Sequence, residues 1–337
     1  MSKTRVAILG ATGYTAVESL LILARHPQVE VTMLTALPEE CGPIAAIFPR
    51  LTGLYDAEVI PMEVEKLADA ADVALCCLPH KVPMSVVPGL LEAGLRIVDF
   101  SADYRLRDLA TYEKFYVSHT DPGHIAEAAF GLPELFREQI IGKRLVANPG
   151  CYPTGAALAV APLLARGLVE RNGIVFNSLT GVSGAGRKAN LLFHFPEMNE
   201  DVFAYGIGTH RHAPEIDQIL SDVAGGPVSA LFQPHVGSFD RGILTSAYAD
   251  ATGELTAEQV RGLFAEFYAD EPFVRVLPAA PHVKNVARTN YCDIYPTVVG
   301  GKVVVFSAID NLIKGASGQA IQNLNLVCGF EETTALL

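Results

Sequence analysis

Arg5-Val6-Ala7-Ile8-Leu9-Gly10-Ala11-Thr12-Gly13-Tyr14-Thr15-Ala16 is an apolar run that stops at a glycine-rich turn, and an apolar-periodic stretch from Val17 to Ala24 follows until His26-Pro27 ends it. Strand, turn and helix in that order open a βαβ unit. Val29 to Leu34 reads as the next strand, Val73 to Leu78 and Arg96 to Phe100 as two more, and Val86 to Ala93 as a helix closing on Gly94. The alternation predicts an α/β fold with a Rossmann-type, doubly wound parallel sheet over roughly the first 150 residues.

Beyond Gly155 the texture changes. A helix from about Thr154 to Ala165 precedes strand-like pieces at Ile174 to Leu179, Ile243 to Ala249 and Lys302 to Ala308, with a helical segment from Thr256 to Ala269 among them. This predicts a second, α+β domain. Gly315 to Cys328 has helical composition and is expected to return to the first domain. The predicted division is therefore residues 1–149 plus about 312–337 for the nucleotide, and 150–311 for catalysis, substrate and oligomerisation.

The 337 residues are half hydrophobic and 18% charged, which suits a two-domain globular enzyme. A formal net charge of −12, with no clustered Lys or Arg, argues against a nucleic-acid partner. No apolar run approaches the roughly 20 residues of a membrane-spanning helix, and the first residues run straight into a strand, so no signal segment is expected. Six cysteines without a C-x-x-C pair suggest reduced thiols and a cytoplasmic location.

Two short stretches carry chemistry. Gly10, Ala11, Thr12, Gly13 and Tyr14 lie at a strand–helix junction, where backbone N–H groups and the helix dipole hold a pyrophosphate; a tight turn without ligand is the plainer alternative. The acid that would select NAD at the end of the second strand is missing, since that strand ends Met33-Leu34-Thr35-Ala36, yet no Arg follows to grip a 2′-phosphate. The residues lean to NADP. Asn148-Pro149-Gly150-Cys151-Tyr152-Pro153-Thr154-Gly155 places a thiol on a turn before an Ala/Leu-rich helix, an address that lowers a cysteine pKa and offers N–H groups to an oxyanion. The alternative is a buried structural cysteine. A thiolate wants a base, and Thr209-His210-Arg211-His212-Ala213-Pro214-Glu215 holds two histidines in alternation with a carboxylate nearby. No third ligand at usual spacing supports a metal there, so none is expected.

The stretch Val146 to Gly155 resembles the active-site signature of the N-acetyl-γ-glutamyl-phosphate reductases, the arginine-pathway branch of the semialdehyde dehydrogenase group. Asp99-Phe100-Ser101-Ala102-Asp103-Tyr104-Arg105, Gly131-Leu132-Pro133-Glu134, Gly181 to Arg187, His210 to Ile216 and Asn311 to Ala320 agree with it, and the match runs from about Arg5 to Gly329. The resemblance implies a second domain like the C-terminal domain of glyceraldehyde-3-phosphate dehydrogenase, a homo-oligomer (dimer or tetramer), and reduction of a small acyl phosphate through a cysteine thioester. Residue by residue it implies Cys151 as nucleophile and His210 as acid/base, with His212 and Glu215 in support. Gly10 to Tyr14 would hold the NADP phosphates, Thr35 would lie near the ribose, and Leu78, Pro79, Ser183, Gly184 and Asn311 would contact the rest of the cofactor. Ser101, Arg105 and Tyr205 are the candidate substrate contacts, a surface salt bridge being the competing fate of Arg105. Two departures stand out: Ala16 replaces the usual third glycine, and Ala36-Leu37-Pro38-Glu39 replaces a serine and basic residues, which bears on NADP selection. Aspartyl and aminoadipyl phosphates are rival substrates. From other classes, a dinucleotide-sensing regulator would not need the His210 to Glu215 cluster, and a cysteine acyl hydrolase would not need the Gly10 loop.

Overall fold

The computed structural model describes residues 2–337. The chain divides into two units, one running to Pro149 and taking back Ala316–Leu337, the other spanning Gly150–Gly315.

In the first unit, β1 (Thr4–Leu9), β2 (Val29–Ala36), β3 (Gly42–Pro43), β4 (Glu58–Pro61), β5 (Val73–Cys76), β6 (Arg96–Asp99), β7 (Ala129–Phe130) and β8 (Leu145–Ala147) form one sheet. Its order is β3-β4-β2-β1-β5-β6-β8-β7, parallel except for the short edge pair β3–β4. Continuous burial along β1 and β5, from Val6 to Leu9 and Val73 to Cys76, is what a parallel sheet covered on both faces demands. The strand order reverses between β1 and β5, and the crevice at their carboxyl ends is where open α/β sheets take ligands. The first helix, Tyr14–Leu23, starts three residues before the apolar-periodic stretch at Val17, its first turn including the half-buried Tyr14 and Thr15. The last helix, Gly318–Cys328, belongs to this unit and is preceded by a π-helical turn, Ile313–Ser317.

In the second unit, β9 (Asn172–Gly181), β10 (Val202–Ala204), β11 (Ser229–Gly237), β12 (Ile243–Asp250), β13 (Val274–Val276), β14 (Cys292–Val299) and β15 (Lys302–Ile309) form a mixed sheet of order β10-β11-β9-β12-β15-β14-β13. Alternate residues Ile174, Phe176, Ser178 and Thr180 of β9 are buried, as are Ile243, Thr245, Ala247 and Ala249 of β12. That period of two turns one face toward the helix Cys151–Ala165. Every residue of this helix from Tyr152 to Leu164 is buried, so it is apolar all round and needs no polar stripe. Gly155 lets it approach the sheet, with Ser307 Oγ donating to the Gly155 carbonyl at 2.9 Å. The opposite face is left more open, Asn177 and Tyr248 being exposed there. No helix among the described residues is long and apolar enough to cross a membrane.

Candidate active site

At the end of β1, Gly10 has φ +78°, and a Cβ there would lie 2.5 Å from the Cys77 carbonyl oxygen. Only glycine satisfies both the backbone angle and the contact. The same contact brings the turn beside Cys77 and Leu78, which lead into Pro79, at the reversal of strand order. Gly10 and Ala11 N–H both donate to the Thr35 carbonyl at 2.9 Å, fixing the turn against β2. Gly13 is the N-cap of the helix Tyr14–Leu23, which has no side-chain cap and no acid in its first turn, so its positive end is open to an anion. The buried Thr35 Oγ1 has no hydrogen-bond partner in the protein. An uncapped helix start, a glycine cradle and an unpartnered hydroxyl together fit a dinucleotide. Thr12 Oγ1 donates to Glu40 Oε2 at 2.6 Å, which brings beside the loop a carboxylate from the stretch that follows the second strand.

Ser101 and Arg105 follow β6. Ser101 donates through its N–H and Oγ to Asp99 Oδ1 and Oδ2 at 3.0 and 2.7 Å, and its Oγ accepts from the Asp103 N–H. Burial pushes the Asp99 carboxyl up to about 7, against the lowering effect of the Ser101 donors. Arg105 is only 5% exposed, which disposes of the surface salt bridge. Its Nε donates to the Asn148 carbonyl and its Nη2 to the Phe100 carbonyl, each at 2.7 Å. The guanidinium therefore clamps the chain entering Pro149, and any substrate oxygen must share it with these carbonyls.

In the second unit Cys151 is the first residue of its helix, with Gly150 as an N-cap lacking any side-chain cap. Cys151 is half-buried, whereas the next thirteen residues are fully buried. Pro153 carries no N–H, so the donors at this helix start are those of Cys151 and Tyr152. Glu215, 1% exposed, accepts the Gly150 N–H at 2.7 Å. The sequence suggested that Glu215 orients a histidine; this contact gives it a hold on the turn that carries Cys151. The His212 ring covers the α-carbon of Gly150 so closely that a Cβ there would sit 2.6 Å from Nε2. Gly315 closes on Cys151 in the same manner, a Cβ at 315 falling 2.8 Å from the Cys151 Cβ.

The two histidines occupy different positions. His210 lies in an aromatic box, its ring centroid 5.6, 5.4 and 5.3 Å from those of Tyr152, Tyr205 and Phe232. Burial, and then the charge of Arg211, lowers its pKa to about 4. Its Nδ1 accepts the His212 N–H at 3.1 Å, so the neutral ring carries its proton on Nε2 and can donate there but not accept. His212, whose Nε2 edge faces Gly150, is not constrained in that way by His210. Tyr205 shares a hydrogen bond with Tyr152 between hydroxyls 2.9 Å apart, and burial raises its phenol to about 12.

Ser183 and Asn311 form a separate knot with the loop before β12. Asn311 Oδ1 accepts the Gly242 N–H at 2.6 Å, its Nδ2 donates to Ser183 Oγ at 3.1 Å, and Ser183 Oγ donates to the Asp240 carbonyl at 2.6 Å. A Cβ added at Gly184 would lie 3.8 Å from the Asn311 Nδ2. Thus Cys151, His210, His212, Glu215 and Tyr205 are gathered around one turn, while Ser183, Gly184 and Asn311 tie three loops of the same unit. Among the described residues no group of three or more His, Cys, Asp or Glu is placed to hold a metal.

A dinucleotide-type unit followed by a unit with a thiol at a helix start fits a semialdehyde dehydrogenase, and two family models place the chain in that class. Residues 5–143 match the semialdehyde dehydrogenase NAD-binding domain and residues 151–311 the semialdehyde dehydrogenase dimerisation domain. Within that class the chain belongs to the N-acetyl-gamma-glutamyl-phosphate reductase family. It is 52% identical to the reductase of that name from Symbiobacterium thermophilum, over 99% of this chain and 97% of the relative, and 49% identical to that of Geobacter metallireducens, over 98% and 97%. Among solved structures, aspartate semialdehyde dehydrogenase II from Vibrio cholerae, complexed with ASA, aligns over 97% of this chain and 98% of its own at TM-score 0.73 and 16% identity. Aspartate semialdehyde dehydrogenase with NADP from Candida albicans aligns over 96% and 98%, also at TM-score 0.73 and 16% identity. These structures share the fold.

Proposed function

We propose that the protein reduces N-acetyl-L-glutamyl 5-phosphate to N-acetyl-L-glutamate 5-semialdehyde and phosphate, with NADPH as reductant and a thioester on Cys151 as intermediate. The observation that carries the reading is the build of the nucleophile turn: a half-exposed thiol at an uncapped helix start, its preceding amide fixed by Glu215 and its glycine covered by His212. Relatives at 43–52% identity bear that reductase name.

His212 takes the Cys151 proton, and the helix start stabilises the thiolate. The sulfur attacks the acyl carbon, and the oxyanion is held by the N–H groups of Cys151 and Tyr152 until the C–O bond to phosphate breaks and the thioester remains. When bound, the nicotinamide cofactor supplies hydride to the thioester carbon. The proton held by His212 passes to the resulting alkoxide while His210 steadies that oxygen through its Nε2–H; as the C–S bond breaks, the hydroxyl gives its proton back to His212, the aldehyde leaves, and the electron pair of the broken bond returns Cys151 to the thiolate. This divides a task that the sequence assigned to His210 with His212 in support. Gly10 to Tyr14 and Thr35 bind the dinucleotide, and Ser101, Arg105 and Tyr205 serve the substrate's anionic and carbonyl oxygens.

The matched dimerisation domain and the open face of the second sheet support a homo-oligomer. A reducing, cytoplasmic setting suits six cysteines of which no two are joined by a disulfide. The test is phosphate-dependent reduction of NADP with N-acetylglutamate semialdehyde, followed at the nicotinamide absorbance. Steady turnover supports the reading. Silence with that aldehyde but turnover with its aspartyl or aminoadipyl counterpart overturns the substrate.

A further inference from the structure

Asp310 is fully buried, yet its carboxylate accepts from several groups at once. Oδ1 accepts the Leu312 and Ile313 N–H groups at 2.8 and 3.0 Å, and Oδ2 accepts the Arg288 N–H at 2.6 Å. Arg288 itself stands at φ +66°, a conformation a non-glycine residue adopts only when its surroundings hold it. Arg241 pairs with the same carboxylate, Nε 3.1 Å from Oδ2 and Nη2 3.2 Å from Oδ1, at side-chain exposures of 5% and 0%. A buried pair of this kind gives little net stability over an apolar replacement, so its contribution is sought in geometry. What it organises is an irregular piece of chain: the Gly315 N–H returns to the Asp310 carbonyl at 2.9 Å across five residues, a π-type closure. That closure delivers the bare α-carbon of Gly315 to Cys151, where an added Cβ would stand 2.8 Å from the Cys151 Cβ and 3.2 Å from its Cα.

We propose that the Asp310–Arg241 pair and the π-type turn it holds are a positioning device for the nucleophile, with Gly315 as the wall that seats Cys151. The inference rests on Cys151 being the nucleophile. None of the three residues touches reacting atoms in this role; each acts through the place it gives the sulfur. Gly315 has no Cβ because the wall must come this close, and Asp310 is charged because it must satisfy three amides and one guanidinium at once.

The experiment compares Gly315→Ala and Arg241→Lys with the wild type in four measurements: steady-state kinetics, the rate of iodoacetamide alkylation of Cys151 as a function of pH (located by peptide mass), NADP affinity by calorimetry, and thermal stability. Gly315→Ala is expected to lower kcat about 100-fold, the order of effect of a misplacement near 1 Å, with acyl-phosphate KM and NADP affinity within about twofold of wild type. The pH profile of Cys151 alkylation shifts with it. Arg241→Lys, which keeps the charge but loses the planar fork, moves kcat and the alkylation profile in the same direction by about tenfold. Wild-type kcat and alkylation profiles in both variants, or a common fall in alkylation, cofactor affinity and thermal stability, overturn the positioning role. Full wild-type turnover after complete alkylation of Cys151 overturns the nucleophile, and this role with it.

Discussion

The protein contains two helix starts of nearly the same build, used in opposite ways. The helices Tyr14–Leu23 and Cys151–Ala165 both have a glycine N-cap in extended conformation, no side-chain cap and no acid in the first turn. Each leaves partial positive charge unneutralised at its start. At Tyr14 the loop is braced from behind, by two amides on the Thr35 carbonyl and by Gly10 against Cys77, and the open end suits the phosphates of a dinucleotide that arrives from solution. At Cys151, in the proposed reaction, the first residue of the helix supplies the anion itself. Its surroundings are correspondingly closer: Glu215 on the Gly150 amide, His212 over Gly150, Gly315 against Cys151. A diffusing ligand needs an accessible cradle, whereas a built-in nucleophile needs a fixed position.

That contrast breaks most sharply at the thiol. Cys151→Ser is expected to reduce turnover by at least about 10⁴-fold while NADP affinity, measured by calorimetry, stays near wild type; joint loss of both would make the sulfur structural. Gly10→Ala is the mirror experiment. With φ +78° and a carbonyl 2.5 Å from the new Cβ, it should cost about tenfold or more in dinucleotide affinity and leave Cys151 alkylation unchanged.

The histidine pair sharpens the second helix start. His212→Asn is expected to slow the reaction about 10³-fold and to suppress Cys151 alkylation at neutral pH, with a smaller kinetic defect, about 10²-fold, for His210→Asn; stopped-flow rates of thioester formation decide the order. His210 also has a stability signature. Its folded pKa, about 4, lies below the 6.5 of the unfolded chain, so the unfolded state binds more protons in that window. The contribution is complete above pH 6.5 and is lost as pH falls toward 4, and His210→Asn should flatten the acid limb of thermal stability between those values. The smallest effect belongs to the first helix start. Glu40 holds a carboxylate on Thr12 beside the loop assigned to the dinucleotide; if it repels the 2′-phosphate of the proposed cofactor, Glu40→Gln should lower the KM for NADPH by a few-fold with that for NADH unchanged, a ratio read from paired steady-state assays.

Local sequence made much of this legible. Apolar runs of parallel-strand length separated by helical periodicity marked the first sheet, and strand alternation marked the second, because burial on both faces or on one writes itself directly into residue order. The glycine turn and the Pro-Gly-Cys turn were readable for a related reason: backbone angles, close approach and helix starts are decided by a few adjacent residues. The π-type turn before the last helix was not readable, since nothing in Leu312 to Ser317 distinguishes it from ordinary helix, and its shape depends on Asp310.

What tertiary structure decided is which atoms each side chain spends. Arg105 has a motif position that promises an anion partner, yet folding commits two of its donors to the carbonyls of Phe100 and Asn148. Glu215 lies near two histidines in sequence and reaches an amide 65 residues away, and Arg241 meets Asp310 at a separation of 69. His210 and His212 are equivalent as letters and become distinct only when one Nδ1 accepts the other's N–H. The chain's order determines where strands, helices and reactive residue types fall. Hydrogen-bond partners and desolvation are properties of packed space, so protonation, positioning and the division of labour between neighbours follow from the fold.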